Sequence, residues 1–244
     1  MTDTLVTGDS LFDGRLQCRQ HLKGYRFSLD AVLLADFISP RSGDRILDLG
    51  AGCGVISLIL AFKWPKVDLT ALELQDGLVA LALENIELNL FQERIRLVHG
   101  DLRRIKSLLA PGLFDWVICN PPYGRIGSGR LNSVQETVIA RHETHAELPD
   151  ITRAVTFALR TRGRVALVYP ASRASSMIHE LKEQNLEPRR LRVIYSYPGS
   201  TGKLILIEAM KGGGEELQVE EPFYVYRKKG GEYTDEMAEC YKTN

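Results

Sequence analysis

Residues 45–60 read RILDLGAGCGVISLIL. An apolar run of strand length enters a turn with glycine at positions 50, 52 and 54, and an apolar segment of helical length follows. In an open parallel sheet, ligands lie at such strand–turn–helix junctions. Gly50 and Gly52 permit a tight turn and close approach of a ligand to the backbone, and Gly54 opens a helix whose free amides favour anionic atoms. A dinucleotide fingerprint would need its third glycine at position 55, where Val55 stands. The G-x-G-x-G spacing instead points to a cofactor without a pyrophosphate.

Outward from this unit the pattern repeats. RILDLG is followed by GVISLILAFK, VDLTALEL by DGLVALALENIEL, IRLVHGD by LRRIKSLLA; then come FDWVICN and GRVALVYP, the latter followed by ASRASSMIHELKEQN. Strand and helix alternation of this kind implies right-handed crossovers and an α/β fold with a mostly parallel sheet covered on both faces. The last two runs, RLRVIYSYP and KLILIEAM, are separated by a short Gly-Ser-Thr-Gly link of hairpin length. One of them is therefore expected to run antiparallel near the edge of a seven-stranded sheet. Residues 1–44 read as a hairpin turning at Asp13-Gly14 and a helix, SLDAVLLADF, ending before Pro40. Residues 45–212 form the expected core, and 213–244 an aromatic-rich tail packed on it, giving one compact domain.

Composition excludes several classes. The 244 residues carry 31 basic and 31 acidic side chains, so no overall field draws the chain to nucleic acid. Cys18, Cys53, Cys119 and Cys240 are scattered without a C-x-x-C pair, which argues against a zinc site or a disulfide framework. RHETH resembles a zinc motif, but Ala146 occupies the position of its second histidine, and no metal is expected. The N-terminal stretch is not a signal peptide, and the longest apolar run, VISLILAF, is too short for a bilayer. A soluble cytoplasmic protein with no membrane partner is expected.

Three acids stand at successive strand ends. Glu73, ending TALEL, is placed to accept two ribose hydroxyls, Asp101, in HGDL, to meet an adenine amino group, and Asp48, ending the first strand, to meet an ammonium. With the glycine turn they describe a nucleoside carrying an amino-acid tail, which is S-adenosylmethionine. The fourth strand ends abruptly in Asn120-Pro121-Pro122-Tyr123. Two prolines remove two amide donors and stiffen the backbone, so the Pro121 carbonyl and the Asn120 side-chain oxygen can accept from one planar amino group while Tyr123 offers a face for stacking.

These motifs resemble class I methyltransferases of the N-P-P-Y type, a Rossmann-like family that methylates exocyclic or amide amines. GYRFSLDAVLLADF, DLGAGCGVISL, NPPYGR, IARHE, RVALVYPASR and the tail PFYVY…GEYT are most similar to the bacterial tRNA(Val) adenine-N6 methyltransferases. The resemblance implies N6 methylation of an adenine in RNA, in an anticodon loop of tRNA. It implies cofactor contacts from Asp30, Asp48, Gly50, Gly52, Gly54, Glu73, Asp101 and Asn120, and catalysis by Asn120, Pro121, Pro122 and Tyr123. Arg141 matches the arginine of the family's ARHE, and with Tyr123, Arg125 and Arg130 it is a candidate RNA contact. Arg189, Arg190 and Arg192 extend the candidate basic surface. Two alternatives remain open. A protein glutamine N5-methyltransferase would present the same planar amide to the same corner, although only 44 residues precede Arg45, where such enzymes carry a helical domain. A non-catalytic nucleotide- or RNA-binding scaffold would have no need of two acceptors aimed at one amine.

Overall fold

A computed structural model describes residues 6–21, 29–121 and 146–242. Its sheet is built from β3 (Arg45–Leu49), β4 (Asp68–Glu73), β5 (Ile95–His99), β6 (Phe114–Cys119), β7 (Leu159–Pro170), β8 (Leu186–Tyr195) and β9 (Gly202–Lys211). These lie in the order β5-β4-β3-β6-β7-β9-β8, and β9 alone of the seven runs antiparallel to its neighbours β7 and β8. The seven strands expected from the sequence, with one antiparallel near the edge, are present. The short tail strands β10 (Gln218–Val219) and β11 (Phe223–Tyr224) both pair with β8 and extend this sheet to nine strands among the described residues.

Side chains on a strand alternate between faces, so the central strands feed two cores. Ile46, Trp116, Ile118, Ala166 and Val168 join the core under α1 (Leu29–Phe37) and α2 (Val55–Lys63). Their sequence neighbours Leu47, Val117, Val165 and Leu167 belong to the opposite core. That second core lies under α4 (Ile105–Leu108), α5 (Leu148–Ala158) and α6 (Ala174–Glu183). The helix α3 (Asp76–Leu88) completes the crossover from β4 to β5.

The strand–helix alternation in the sequence leaves out α5, yet parallel neighbours such as β6 and β7 need a crossover. Its buried positions Ile151, Ala154, Val155 and Ala158 follow the helical period with mostly small side chains. β7 then begins at Leu159, earlier than GRVALVYP suggests, and crosses an irregularity in its pairing with β6. Gly163 sits at that crossing, where a Cβ would lie 2.9 Å from the Arg160 carbonyl oxygen and 3.2 Å from that of Phe114.

The N-terminal hairpin pairs β1 (Val6–Leu11) with β2 (Leu16–His21) around Asp13-Gly14, as the turn signal predicts. The outer edge of β2 pairs with side chains of α3. Asn89 accepts from the Gln17 amide at 2.9 Å and donates to the Gln17 carbonyl at 2.7 Å. Asn85 accepts from the Arg19 amide at 2.6 Å and donates to the Arg19 carbonyl at 2.9 Å. Four helical residues rise about 6 Å and two strand residues about 6.7 Å, so carboxamides spaced i, i+4 match every second strand residue. The helix thereby stands in for a missing strand.

The tail packs on the body. Phe223, Val225, Met237 and Cys240 are buried in the core that contains α1 and α2, and the short helix α7 (Asp235–Glu239) carries Met237. The tail also brings carboxylates to β8. Arg190 bonds Glu220 at 2.6 Å and the fully buried Glu208 at 2.8 Å, while Arg164 holds the other oxygen of Glu208. Removing buried apolar side chains from this seam should loosen the whole protein. Phe223→Ala and Met237→Ala are each expected to cost about 2–5 kcal/mol in urea unfolding, and losses below about 1 kcal/mol would show the tail to be a loose appendage.

Candidate functional site

The C-terminal ends of β3, β4 and β6 meet at a cleft of about 250 Å³ whose lining includes Gly50, Gly52, Glu73, Asp101, Asn120 and Pro121. Leu72, Leu74, Leu78, Leu102 and Ile151 add apolar walls. Asp48 pairs with Ile118 in the sheet register, which brings Asn120, two residues on, level with Gly50.

The turn is held by hydrogen bonds on nearly every side. The amides of Gly50 and Ala51 donate to the Leu72 carbonyl at 2.9 and 3.0 Å, and Gly54 donates to the Ala51 carbonyl at 2.9 Å. Gly50, Gly52 and Gly54 have φ of 78°, 60° and 84°, values that favour glycine. At Gly50 and Gly52 the position of a missing Cβ faces open space, which leaves a bare backbone cradle on the cleft.

Glu73 is buried at its base by two amides, Gly52 at 2.8 Å to one carboxylate oxygen and Gln75 at 2.9 Å to the other. Each oxygen retains acceptor capacity, so the carboxylate can take two further donors such as a vicinal diol. Asp101 accepts from the Arg103 amide at 2.9 Å and pairs with the Arg103 guanidinium at 2.6 Å. The Arg103 hydrogen bond, with the neighbouring positive charges, holds its carboxyl below the usual range. Arg103 lines the cleft beside it, and sequence reasoning missed it because basic residues beyond a strand end usually face solvent.

Asp48 is placed differently from Glu73 and Asp101. It does not line the cleft. It is fully buried and accepts from the Ser57 amide at 3.1 Å and the Ser57 hydroxyl at 2.7 Å. The acid thus occupies the N-terminal turn of α2 itself, using an amide that had been expected to face a ligand. Its second oxygen is buried with no hydrogen-bond partner among the described residues. Burial pushes its pKa up to about 7 against the lowering effect of Ser57. Gly54 likewise turns inward, packed on Ala82 of α3. Asp30 lies half-buried in the first turn of α1 and is not among the residues lining the cleft.

Pro122, Tyr123, Arg125, Arg130 and Arg141 lie outside the described residues. The basic surface expected at 189–192 is neutralised. Arg189 pairs with Glu216 at 2.9 Å, Arg190 with Glu208 and Glu220, and Arg192 with Glu236, while Arg190 and Arg192 stack over Phe37 and Phe223 at 4.4 and 4.9 Å. All four cysteines are buried and free. No group of side chains suited to a metal ion, and no helix long and apolar enough to cross a membrane, occurs among the described residues.

An open glycine cradle, a buried carboxylate with spare acceptor capacity, an apolar wall and a second acid at the far end fit an adenosine group. A family model, the methyltransferase small domain, matches residues 28–147. A tRNA1(Val) (adenine(37)-N6)-methyltransferase of Parabacteroides distasonis is 32% identical over 73% of this chain and 74% of its own length. The protein of that name from Bacteroides thetaiotaomicron is 30% identical over 73% of each. Among solved structures, a predicted O-methyltransferase from Agrobacterium tumefaciens superposes with a TM-score of 0.72 at 22% identity, covering 88% of this chain and 98% of its own. TYW2 of P. horikoshii, solved in complex with MeSAdo, superposes with a TM-score of 0.58 at 16% identity, covering 87% and 73%. The fold is therefore Rossmann-like, of the class I methyltransferase kind.

The burial of Asp48 has a consequence for stability. The folded protein surrenders this proton only as pH rises through about 7, whereas an unfolded aspartate loses it near 4. The folded state thus binds the extra proton between those values, and stability is lost as pH rises through that window. Asp48→Asn has no proton to lose and keeps an acceptor for Ser57. Between about pH 5 and about pH 8 its stability relative to the native protein is expected to improve by on the order of 2 kcal/mol in urea unfolding; a difference independent of pH would refute the assignment.

Proposed function

The chain belongs to the tRNA1(Val) (adenine(37)-N6)-methyltransferase family, and on that premise we propose that it transfers a methyl group from S-adenosylmethionine to the exocyclic N6 amine of an adenine in tRNA. The observation that carries this reading is the placement of Asn120 and Pro121 on the same cleft as the glycine cradle and Glu73. An amine acceptor site and a nucleoside site thereby share one wall.

S-adenosylmethionine supplies an electrophilic methyl carbon on a sulfonium. Glu73 accepts the two ribose hydroxyls, with the bare backbone at Gly50 and Gly52 close against the ligand. Asp101, oriented by Arg103, accepts from the adenine amino group of the cofactor. Asp48 acts from beneath, fixing the start of α2 and hence the turn. The Asn120 side-chain oxygen and the Pro121 carbonyl accept the two hydrogens of the target amine, which directs the nitrogen lone pair at the methyl carbon. Positive charge develops on that nitrogen during transfer, so fixed acceptors lower the barrier more than they tighten substrate binding. The proton leaves to solvent once the new bond has formed. Pro122 stiffens this corner, and Tyr123 stacks on the adenine.

The target base must leave its stack, which costs a few kcal/mol, least for a base already unpaired in a loop. An anticodon-loop adenine meets that condition. Arg125, Arg130 and Arg141 then serve as phosphate contacts, because the 189–192 arginines are already paired. A tRNA substrate places the reaction in the cytoplasm.

Glu73→Ala removes two charge-assisted acceptors and should weaken S-adenosylmethionine binding by about 2–3 kcal/mol in calorimetry; native affinity in the folded variant would put the cofactor elsewhere. Asn120→Ala should lower kcat by about 100-fold or more while cofactor affinity stays near native. Turnover retained under saturating substrate would remove Asn120 from catalysis. Labelled cofactor offered with separate pools of tRNA and protein tests the substrate: label is expected on N6 of adenine in tRNA, and label on a protein glutamine amide would overturn the RNA assignment.

A further inference from the structure

Asn85 has a second attachment besides the hairpin. Its side-chain nitrogen donates to the Cys53 carbonyl at 2.9 Å as well as to Arg19, and lies 3.7 Å from the Cys18 sulfur. The residue is completely buried, so no water can replace these bonds. Cys53 is the residue between Gly52 and Gly54. Three residues earlier on the same face of α3, Ala82 lies where a Cβ on Gly54 would sit 3.5 Å away. One helical face therefore contacts both ends of the Cys53–Gly54 peptide.

This peptide needs holding. Glycine adopts either sign of φ, so the plane between Cys53 and Gly54 can rotate by compensating changes at its two ends. On its amide side it is fixed by the Gly54 bond to the Ala51 carbonyl. On its carbonyl side it is fixed by Asn85. We propose that Asn85 is a positioning residue for the cofactor site, a latch on the Cys53 carbonyl that keeps the glycine turn in the shape that receives S-adenosylmethionine. The inference rests on the functional reading above. Asn85 touches neither the cleft nor any reacting atom, and it acts through the backbone of Gly52 and Gly54.

Asn89 provides the control, because it docks the same hairpin through Gln17 without touching the turn. The experiment compares native protein, Asn85→Ala, Asn85→Ser and Asn89→Ala, each checked for folding by thermal melting. S-adenosylmethionine affinity is measured by calorimetry, and kcat on tRNA at saturating cofactor. Asn85→Ala is expected to raise the cofactor Kd about tenfold, since its one hydrogen bond to the turn, that to the Cys53 carbonyl, is lost, with kcat at saturation within about threefold of native. Asn89→Ala should shift Kd by less than about twofold. Should Asn85→Ala fail to fold, Asn85→Ser is judged by the same criteria. An unchanged Kd in the folded Asn85 variant, or an equal rise in Asn89→Ala, would overturn the latch. A native protein that binds no S-adenosylmethionine would instead overturn the functional reading itself.

Discussion

The shape of the cleft depends on how the end of β4 holds the backbone of the turn that follows β3. The Leu72 carbonyl takes the amides of Gly50 and Ala51, and the Glu73 carboxylate takes that of Gly52. Three consecutive amides are thus committed to one strand end. The cradle is preorganised rather than assembled around a ligand, and the carboxylate proposed to hold ribose is also the one that shapes the turn. Glu73 and the turn therefore form a single unit, in which neither the acid nor the glycines keep their geometry alone.

A second layer lies beneath. Asp48 anchors the start of α2 from within the sheet, while Asn85 and Ala82 approach the turn from α3. The acids at the strand ends are thereby separated into roles by their surroundings. Glu73 and Asp101 face the cleft with guanidinium or amide partners, whereas Asp48 is sealed off and drawn toward its neutral form. Similar residue types at similar strand positions do different work because Asp48 turns to Ser57 at the start of α2, whereas Glu73 and Asp101 turn to the cleft.

Much of this was legible in the sequence. The strand–helix alternation placed the sheet correctly because it is local and periodic, and Gly50, Gly52, Glu73, Asp101 and Asn120, singled out by spacing, line one cleft at the ends of its strands. What escaped was long-range. The partners of Arg189, Arg190 and Arg192 come from carboxylates 18 to 44 positions away, so a basic run in sequence is neutral in space. Asn85 and Asn89 look like ordinary polar positions of an amphipathic helix until the hairpin lies against them. Helix α5 escaped notice because its buried stripe is short and built largely from alanine and valine. Whether a strand-end acid faces a ligand or a helix depends on its side-chain direction, which spacing does not encode.

The tail reaches the far side of the chain's history. Cys240 lies 3.5 Å from the Asp36 carboxylate, Arg190 donates to the Phe37 carbonyl at the end of α1, and Phe223 and Met237 share a core with α1 and α2. A ribosome delivers residues 218–240 after β9 has been made. Until they emerge, the apolar ground beneath α1 and the open edge of β8 stay uncovered. Vectorial synthesis therefore leaves the first seven strands of the sheet with an unpaired edge at β8, the feature most prone to pairing with another chain. Residues 218–224 serve as an internal escort, capping that edge once the strands before them have been made.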